Sequence, residues 1–402
     1  MPFPSLARIP APPDPILGLT EAFRVDPRPH RINLAQGVFV DESGATPVLP
    51  VVLEAERRLL EAAGTKLYRP IDGDAGFRNL VTRLVLGDTH EAVTSGRAVA
   101  TQVPGGTGGL RVVADLLRQT GGGATVWISN PTWPNHPQLF HAAGFRTRTY
   151  PYADDAGRAI DEAAMLGALE GASPGDVLLL HGACHNPTGL DPSPDLWRRI
   201  GDLAERRGLL PFVDLAYQGF GDGLVEDARG LLELARPGVE LILSTSFSKT
   251  FSLYAERVGA VIAIARNADD AAAIQTNLKI SVRTNYSNPP AHGADVVQTI
   301  LSDTALRVQW EGELSAMRSR IRDNRAALVS ALEARGLPGD WAPIQQQRGM
   351  FAMLGLSAPQ VATLREHHAV YVVGRGRINV AGLTGSNIGP FTDALAAVMA
   401  EG

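Results

Sequence analysis

The sequence predicts an α/β fold, a mostly parallel sheet covered by helices and followed by a smaller α+β unit, and three observations point there. Short apolar runs alternate with helical stretches between residues 98 and 265, the pattern of parallel strands joined by helical crossovers. The first of those runs, Ala98 to Val103, ends in Pro104-Gly-Gly-Thr-Gly-Gly109. Leu110, Val113, Ala114 and Leu117 then repeat at helical spacing, so strand, glycine turn and helix follow one another. A proline-free stretch from Thr304 to Arg335 carries Leu306, Trp310, Leu314, Met317, Ile321, Leu328 and Leu332 at near-heptad spacing, and short strands and helices come after it.

In chain order, Met1 to Pro15 holds six prolines and predicts an extended arm that lies on something else. Asp14 caps a short helix from Ile16 to Phe23, and Arg31 to Leu34 reads as a short strand leading into Gln36-Gly37-Val38-Phe39. Apolar residues from Val48 to Ala63 fall at helical spacing, with Gly64 as the stop. Lys66-Leu-Tyr-Arg-Pro-Ile-Asp-Gly73 has turn chemistry, and a helix runs through Phe77 to Leu86. Beyond the first strand, the runs Thr125–Ser129, Asp176–His181, Leu209–Asp214, Leu241–Ser244 and Val258–Ala265 predict further strands. Gly336 ends the long helix. The smaller unit then comprises Met350–Leu354, a helix at Ala358–His367, strands at Val370–Val373 and Arg377–Val380, and a last helix at Phe391–Met399. The boundary between the units falls within the long helix.

Composition narrows the function classes. With 402 residues, 45% of them hydrophobic, the chain is long enough for roughly two to three domains and a large core. A net charge of -5 without runs of like charge gives no basic footprint for nucleic acid, while small anionic substrates stay possible because local arginines decide that. One cysteine, Cys184, excludes an intrachain disulfide, and no Cys/His spacing matches a structural zinc site. No metal is expected, and a reducing cytoplasmic compartment is. The N-terminus lacks the apolar core of a signal peptide, and no run approaches the roughly 18 to 20 apolar residues that span a bilayer.

Only three lysines occur, Lys66, Lys249 and Lys279, so 34 of the 37 basic residues are arginine. A lysine retained in such a chain is informative where arginine cannot replace it: an amine can lose its proton and attack a carbonyl, and a guanidinium cannot. Lys249 follows Ser244-Thr-Ser-Phe-Ser248 at the end of an apolar run, with no acidic neighbour until Glu256. By itself it reads equally as a reactive amine or a surface lysine.

Other unusual residues stand at predicted strand ends, where open parallel sheets bind ligands. Gly106, Thr107 and Gly108 open a helix, so their N–H groups suit a phosphate, although a plain glycine turn reads the same way. Asp214 ends an apolar strand and needs a partner, be it a helix end, a salt bridge or a ligand. His136, His181 and His185 read as packed, hydrogen-bonded side chains, since no acidic or histidine spacing completes a metal site. Arg257, Arg283 and Arg377 stand at element ends; each offers a planar fork to a carboxylate or phosphate, or a surface salt bridge.

Eight motifs tie these residues together. They are Pro104-Gly-Gly-Thr-Gly108, Asn130-Pro-Thr-Trp-Pro-Asn-His136, Cys184-His-Asn-Pro-Thr-Gly189, Asp214-Leu-Ala-Tyr-Gln-Gly-Phe220, Ser246-Phe-Ser-Lys249, Tyr254-Ala-Glu-Arg-Val-Gly259, Asn285-Tyr-Ser-Asn-Pro-Pro-Ala-His-Gly293 and Gly376-Arg-Ile-Asn-Val-Ala-Gly382. Their order resembles that of the aspartate and aromatic amino-acid aminotransferases, class I enzymes of fold type I that use pyridoxal 5'-phosphate (PLP). The match begins at Asp14-Pro-Ile-Leu-Gly18 and covers almost the whole chain.

The resemblance implies a homodimeric transaminase. It would move an amino group between an L-amino acid, aspartate or an aromatic one, and 2-oxoglutarate by a ping-pong route. It implies an N-terminal arm at 1–13, a small domain at 14–46 and 315–402, and a large PLP-binding domain at 47–314. Lys249 would anchor the cofactor and shuttle the substrate proton, and Asp214 would pair with the pyridine nitrogen. Asn186 and Tyr217 would bond the ring oxygen, and Trp133 would stack on the ring. Gly106, Thr107, Ser246, Ser248 and Arg257 would hold the phosphate, joined by Tyr68 of the neighbouring subunit. Arg377 would take the substrate α-carboxylate beside Asn186, Trp133 and the backbone of Gly37, and Arg283 of the neighbour would meet a distal carboxylate. Decarboxylation or elimination on the same fold is the enzymatic alternative, which a two-carboxylate clamp disfavours. A catalytically silent dimer is the non-enzymatic one, which intact Lys249, Asp214 and Asn186 argue against. The sequence departs from the family pattern at Gln36, Phe39, Val40 and Leu67, where an aliphatic residue, a tyrosine, a lysine and a polar residue are usual. Three of the four changes make the side-chain pocket less polar, which favours aromatic substrates.

Overall fold

The computed structural model describes residues 14–119, 123–154 and 157–400, so the expected arm at 1–13 lies outside the described residues. Strand β1 (Ile32–Asn33) precedes the strands of the central sheet, which are β2 (Ala98–Val103), β3 (Thr125–Asn130), β4 (Arg146–Pro151), β5 (Val177–His181), β6 (Leu210–Leu215), β7 (Leu241–Ser246) and β8 (Gly259–Ile264). Their order across the sheet is β2-β8-β7-β6-β5-β3-β4. All neighbours run parallel except β8, which is antiparallel to both β2 and β7. Strands β5, β7 and β8 are buried along their whole length, as expected where helices cover both faces and sequence alternation is lost.

Strand β4 has no counterpart in the predicted set. It reads Arg-Thr-Arg-Thr-Tyr-Pro, and only Tyr150 is buried, its hydroxyl donating to Leu179 O at 2.9 Å. Charged and polar residues on an edge strand discourage pairing with another sheet, and they also hide the strand from any search for apolar runs. The glycine run opens a helix, as expected. Gly105 and Gly106 form the first turn of the helix Gly105–Gln119. Elsewhere the predicted elements lie within a few residues of the observed ones. Asp14 accepts from the N–H groups of Ile16 and Leu17 ahead of the helix Leu17–Val25, and Pro50 begins the helix Pro50–Glu61.

The smaller unit contains β9 (Phe351–Met353), β10 (Val370–Tyr371) and β11 (Arg377–Asn379). Strand β1 pairs in parallel with β10, joining residues near the N-terminus to the C-terminal region. Strands β9 and β11 are antiparallel, with Arg377 opposite Met353 and Asn379 opposite Phe351.

One helix, Thr304–Ala334, reaches both regions. Asp303 caps it by accepting from Ala305 and Leu306, and Gly336 at φ 62° follows its end. Its first half buries Trp310, which stacks on Phe251 with ring centroids 4.3 Å apart and donates from Nε1 to Thr250 O at 2.8 Å. A fully buried aromatic ring of this kind stabilises a core by about 3–5 kcal/mol relative to alanine. Its second half faces the C-terminal strands. Among the described residues no helix is long and apolar enough to cross a membrane.

Candidate active site

Strand direction explains why distant motifs meet. Strands β2, β3, β5, β6 and β7 end at one edge of the sheet, and the antiparallel β8 begins there. Asp214 on β6 pairs with Ser244 on β7, and Ser246 pairs with Gly259 at the start of β8. Lys249 follows β7, Arg257 precedes β8, and Val103 opposite Gly259 leads into the helix carrying Gly106 and Thr107. These groups line one cleft together with Gly37, Trp133, Asn186, Tyr217, Ser246, Ser248 and Arg377. Ile16, His181, Ala216 and Phe351 complete the lining, and none of the four was singled out as a ligand-binding residue from sequence.

Two expected site residues are not in this cleft. Tyr68 is 92% exposed. Arg283, in the last turn of the helix Ala268–Asn285, is exposed and donates to Ser287 Oγ.

At the centre, Lys249 is half-buried with its Nζ 5.1 Å from the centroid of the Tyr217 ring. Burial pushes its amine down to about 8; Asp214 opposes that shift and Arg257 adds to it. A neutral amine is therefore accessible near physiological pH. Asp214 is a buried carboxylate whose Oδ2 meets His136 Nε2 at 3.1 Å. Burial alone would raise its pKa, but the His136 hydrogen bond, the neighbouring histidines and Lys249 hold it below the ordinary value. The carboxylate stays charged.

His136 is the partner for Asp214 that the sequence left unidentified. It stands in the first turn of the helix Asn135–Ala142, three residues beyond Trp133, with the two rings edge-to-face at 5.3 Å. Behind it, Thr132 Oγ1 bridges His136 Nδ1 at 2.8 Å and His181 Nε2 at 3.2 Å. His185 bonds Ser129 and Thr188 at 3.1 and 2.9 Å. Burial, reinforced by His136, holds His181 down to about 3, and burial likewise lowers His185 well below its ordinary value, so these two rings are neutral hydrogen-bonded supports. The expectation of packed, hydrogen-bonded histidines holds, and no group of metal-ligating side chains occurs among the described residues.

A cradle for an anion lies beside the amine. Ser246 and Ser248 hydroxyls are 3.2 Å apart, and Arg257 Nη1 donates to Ser248 Oγ and to Tyr254 O, both at 3.0 Å. Gly105 has φ 71°, and a Cβ there would stand 2.5 Å from Arg257 Nη2, so side-chain-free backbone brings the helix N-terminus against the guanidinium.

Arg377 occupies the opposite wall. Its guanidinium lies 4.6 Å over the Phe351 ring and donates to Asn186 Oδ1 at 3.3 Å and to Ala35 O. Burial pushes it down to about 10, well above neutrality, so it remains a cation. Gly37 abuts the same ring; a Cβ there would sit 2.9 Å from Phe351 Cζ. The adjoining segment is held from two sides. Phe39 N–H donates to Tyr254 Oη at 2.9 Å, and Asn379 Nδ2 donates to Gln36 O and Val38 O at 2.8 and 2.6 Å.

These residues fit PLP. Asp214 Oδ1 is buried with no hydrogen-bond partner among the described residues, the position a protonated pyridine nitrogen requires. The helix N-terminus, two serines and Arg257 suit its phosphate, and the Lys249 amine suits its aldehyde.

Comparison with known proteins gives the same assignment. The family profile described as aminotransferase class I and II matches residues 29–395. The aspartate aminotransferase of Escherichia coli (strain K12) is 47% identical over 97% of this chain and 98% of that protein. The aromatic-amino-acid aminotransferase of Pseudomonas aeruginosa is 47% identical over 99% of each. The crystal structure of the aromatic-amino-acid aminotransferase from Burkholderia pseudomallei, covalently bound to pyridoxal phosphate, superposes with a TM-score of 0.95 at 44% identity, covering 99% of both chains. A parallel sheet presenting a half-buried lysine, a charged aspartate and an anion cradle at one edge is thus the site of a fold-type I PLP-dependent transaminase, and the chain belongs to the class I and II aminotransferases.

Proposed function

We propose that the enzyme moves an amino group between an L-amino acid and 2-oxoglutarate in two half-reactions, and that its donors include both aspartate and aromatic amino acids. The observation that carries this reading is the pairing, within one cleft, of the Lys249 amine, lowered to about 8, with the buried Arg377, whose described bonds go to Asn186 and Ala35 and to no carboxylate. Relatives named for aspartate and for aromatic substrates are equally similar to the chain.

PLP, when bound, supplies an electron sink for the charge left on the substrate Cα. The chain's own groups do the rest. Lys249 anchors the cofactor, and its Nζ then takes and returns the proton of the substrate Cα. Asp214, kept anionic by His136, holds the pyridine nitrogen protonated. Tyr217 and Asn186 would hydrogen-bond the ring oxygen and Trp133 would cover the ring face. Gly106, Thr107, Ser246, Ser248 and Arg257 hold the phosphate. Arg377 grips the α-carboxylate with Gly37 backbone beside it, which orients the Cα–H bond toward Lys249.

The remaining roles require a second copy of the chain. In a homodimer with shared sites, Tyr68 reaches the partner's phosphate and Arg283 the distal carboxylate of a dicarboxylic substrate. The exposure of both residues supports this arrangement. Residues 14–46 and 315–402 act as a small domain against a large domain at 47–314, the division crossing the long helix. Leu67, 76% exposed beside Tyr68, and Val40 then contribute to the surroundings of the side-chain pocket. Each apolar contact there is worth on the order of 1 kcal/mol to an aromatic substrate, about fivefold in preference. A single buried cysteine accords with a reducing, cytoplasmic setting.

The test is single-turnover chemistry on the holoenzyme. Aspartate or phenylalanine should convert the cofactor to its amine form with release of the matching oxo acid. Release of carbon dioxide or ammonia instead would overturn transamination of these donors. Phenylalanine turning over more than about a thousandfold worse than aspartate would remove the aromatic half of the proposal.

A further inference from the structure

Arg325 is a fully buried cation whose described hydrogen bonds all go to carbonyl or amide oxygens and none to a carboxylate. It stands in the second half of the helix Thr304–Ala334 and is surrounded by carbonyls. Nη2 donates to Gly349 O at 2.8 Å, Phe351 O at 2.7 Å and Arg348 O at 3.2 Å; Nη1 reaches Ile344 O at 3.3 Å. Burying a guanidinium is costly, and burial pushes it down to about 10, yet an uncharged side chain could not satisfy that many acceptors from one point. The carbonyls belong to the segment that turns into β9 and delivers Phe351. The residue before it on the helix does the equivalent for the other strand. Asn324 Nδ2 donates to Val380 O at 3.1 Å and Leu383 O at 2.9 Å, just beyond β11. A backbone bond from Val380 N to Met350 O at 2.7 Å closes the two segments on each other.

Between them these strands carry Arg377 and the ring beneath it. Arg377 is on β11, and the Phe351 ring beneath its guanidinium is on β9, opposite Asn379. The same ring meets Tyr217 edge-on at 5.8 Å and blocks any side chain at position 37. Moving either strand displaces the guanidinium from its platform.

We propose that Asn324 and Arg325 are positioning residues for the carboxylate-binding arginine, two neighbours on one helix that fix the two strands bearing Arg377 and Phe351. The helix thereby supports the groups at both the α-carboxylate and the Cα of the substrate, since its first half buttresses Thr250 and Phe251 next to Lys249. The inference rests on the reading that Arg377 binds the substrate α-carboxylate.

The experiment compares holoenzyme carrying Arg325→Lys, Asn324→Ala or Arg377→Ala with the unaltered protein. It measures the Kd of 3-phenylpropionate, an unreactive carboxylate, by calorimetry, the kinetics with aspartate, and the visible spectrum of the bound cofactor. Arg325→Lys should leave the spectrum unchanged and raise both the Kd and the aspartate KM at least about tenfold, with a smaller change in kcat, as a misplaced guanidinium predicts. Asn324→Ala should shift the same quantities in the same direction by less, and it decides the matter if Arg325→Lys does not fold. A lower Tm with unchanged Kd and KM in either folded variant would overturn the inference, leaving these residues a role in stability alone. Arg377→Ala separates the two levels. If it does not weaken 3-phenylpropionate, the carboxylate reading itself fails; if it does while the helix variants bind normally, only the positioning role fails.

Discussion

The two ends of the cleft are built from different material. At the cofactor end, Asp214, Tyr217, Asn186, Ser246 and Ser248 are buried and Lys249 is half-buried, with Asp214 Oδ2 bonded to His136 and Ser248 to Arg257 of the same chain. At the end where a substrate side chain would lie, the residues the family pattern points to stand on the surface. Leu67 is 76% exposed and Arg283 bonds only its near neighbour Ser287 among the described contacts; Tyr68, expected at a phosphate, is likewise 92% exposed. A single chain therefore brings together most of the groups proposed to hold and activate a cofactor, and leaves Tyr68 and the groups proposed to recognise the substrate side chain on its surface. In a dimer with shared sites, those surface groups serve the second copy.

Substitutions at the two ends should differ in kind as well as size. Lys249→Ala is expected to lower kcat by about ten-thousandfold for every donor alike and to abolish the visible absorption of the lysine-linked cofactor, because the group acts on the reacting atoms. Absorption and turnover that survive would break the cofactor half of the comparison. Arg283→Ala should lower kcat/KM for aspartate about a thousandfold while changing phenylalanine less than about tenfold, since only the distal carboxylate is lost. An equal loss for both donors would assign Arg283 to the common chemistry instead.

The amine of Lys249 offers a pH test of the buried end. Only its neutral form attacks an aldehyde, and its folded value is lowered to about 8 from 10.5. Uptake of PLP by the cofactor-free chain, followed by absorbance, should therefore accelerate about tenfold per pH unit up to pH 8 and level off above it. A rise continuing to pH 10 would mean an ordinary lysine. The smallest effect belongs to the departures from the family pattern. Val40→Lys and Leu67→Asn should each shift preference from phenylalanine toward aspartate by about fivefold in relative kcat/KM.

Legibility in the sequence followed the same division. Strands β2, β3 and β5 to β8 announced themselves as apolar runs because they are buried on both faces, while β4 did not, its exposed Arg146 and Arg148 serving a sheet edge. Lys249, Asp214 and the anion cradle were readable as residues out of place in their surroundings, and the order of the motifs supplied their roles. His136 was visible as a histidine but not as the partner of Asp214, because that contact joins residues 78 positions apart and depends on sheet register. Arg325 was hidden more deeply. One arginine among 34 inside a heptad pattern looks like a solvent-facing charge, and only the curl of carbonyls at 344–351 gives it meaning.

The comparison can be decided by mixing two inactive proteins. Chains carrying Lys249→Ala and chains carrying Arg283→Ala are each expected to be nearly inert toward aspartate. When they are unfolded and refolded together with PLP, a dimer with shared sites places both substitutions in one site and neither in the other. Equal mixing should then restore about a quarter of the unaltered activity, since half the dimers are hybrids and one site in two is intact. Activity no greater than the sum of the separate variants, in a sample shown to contain hybrids, would mean that Arg283 serves its own chain and would contradict the shared-site dimer.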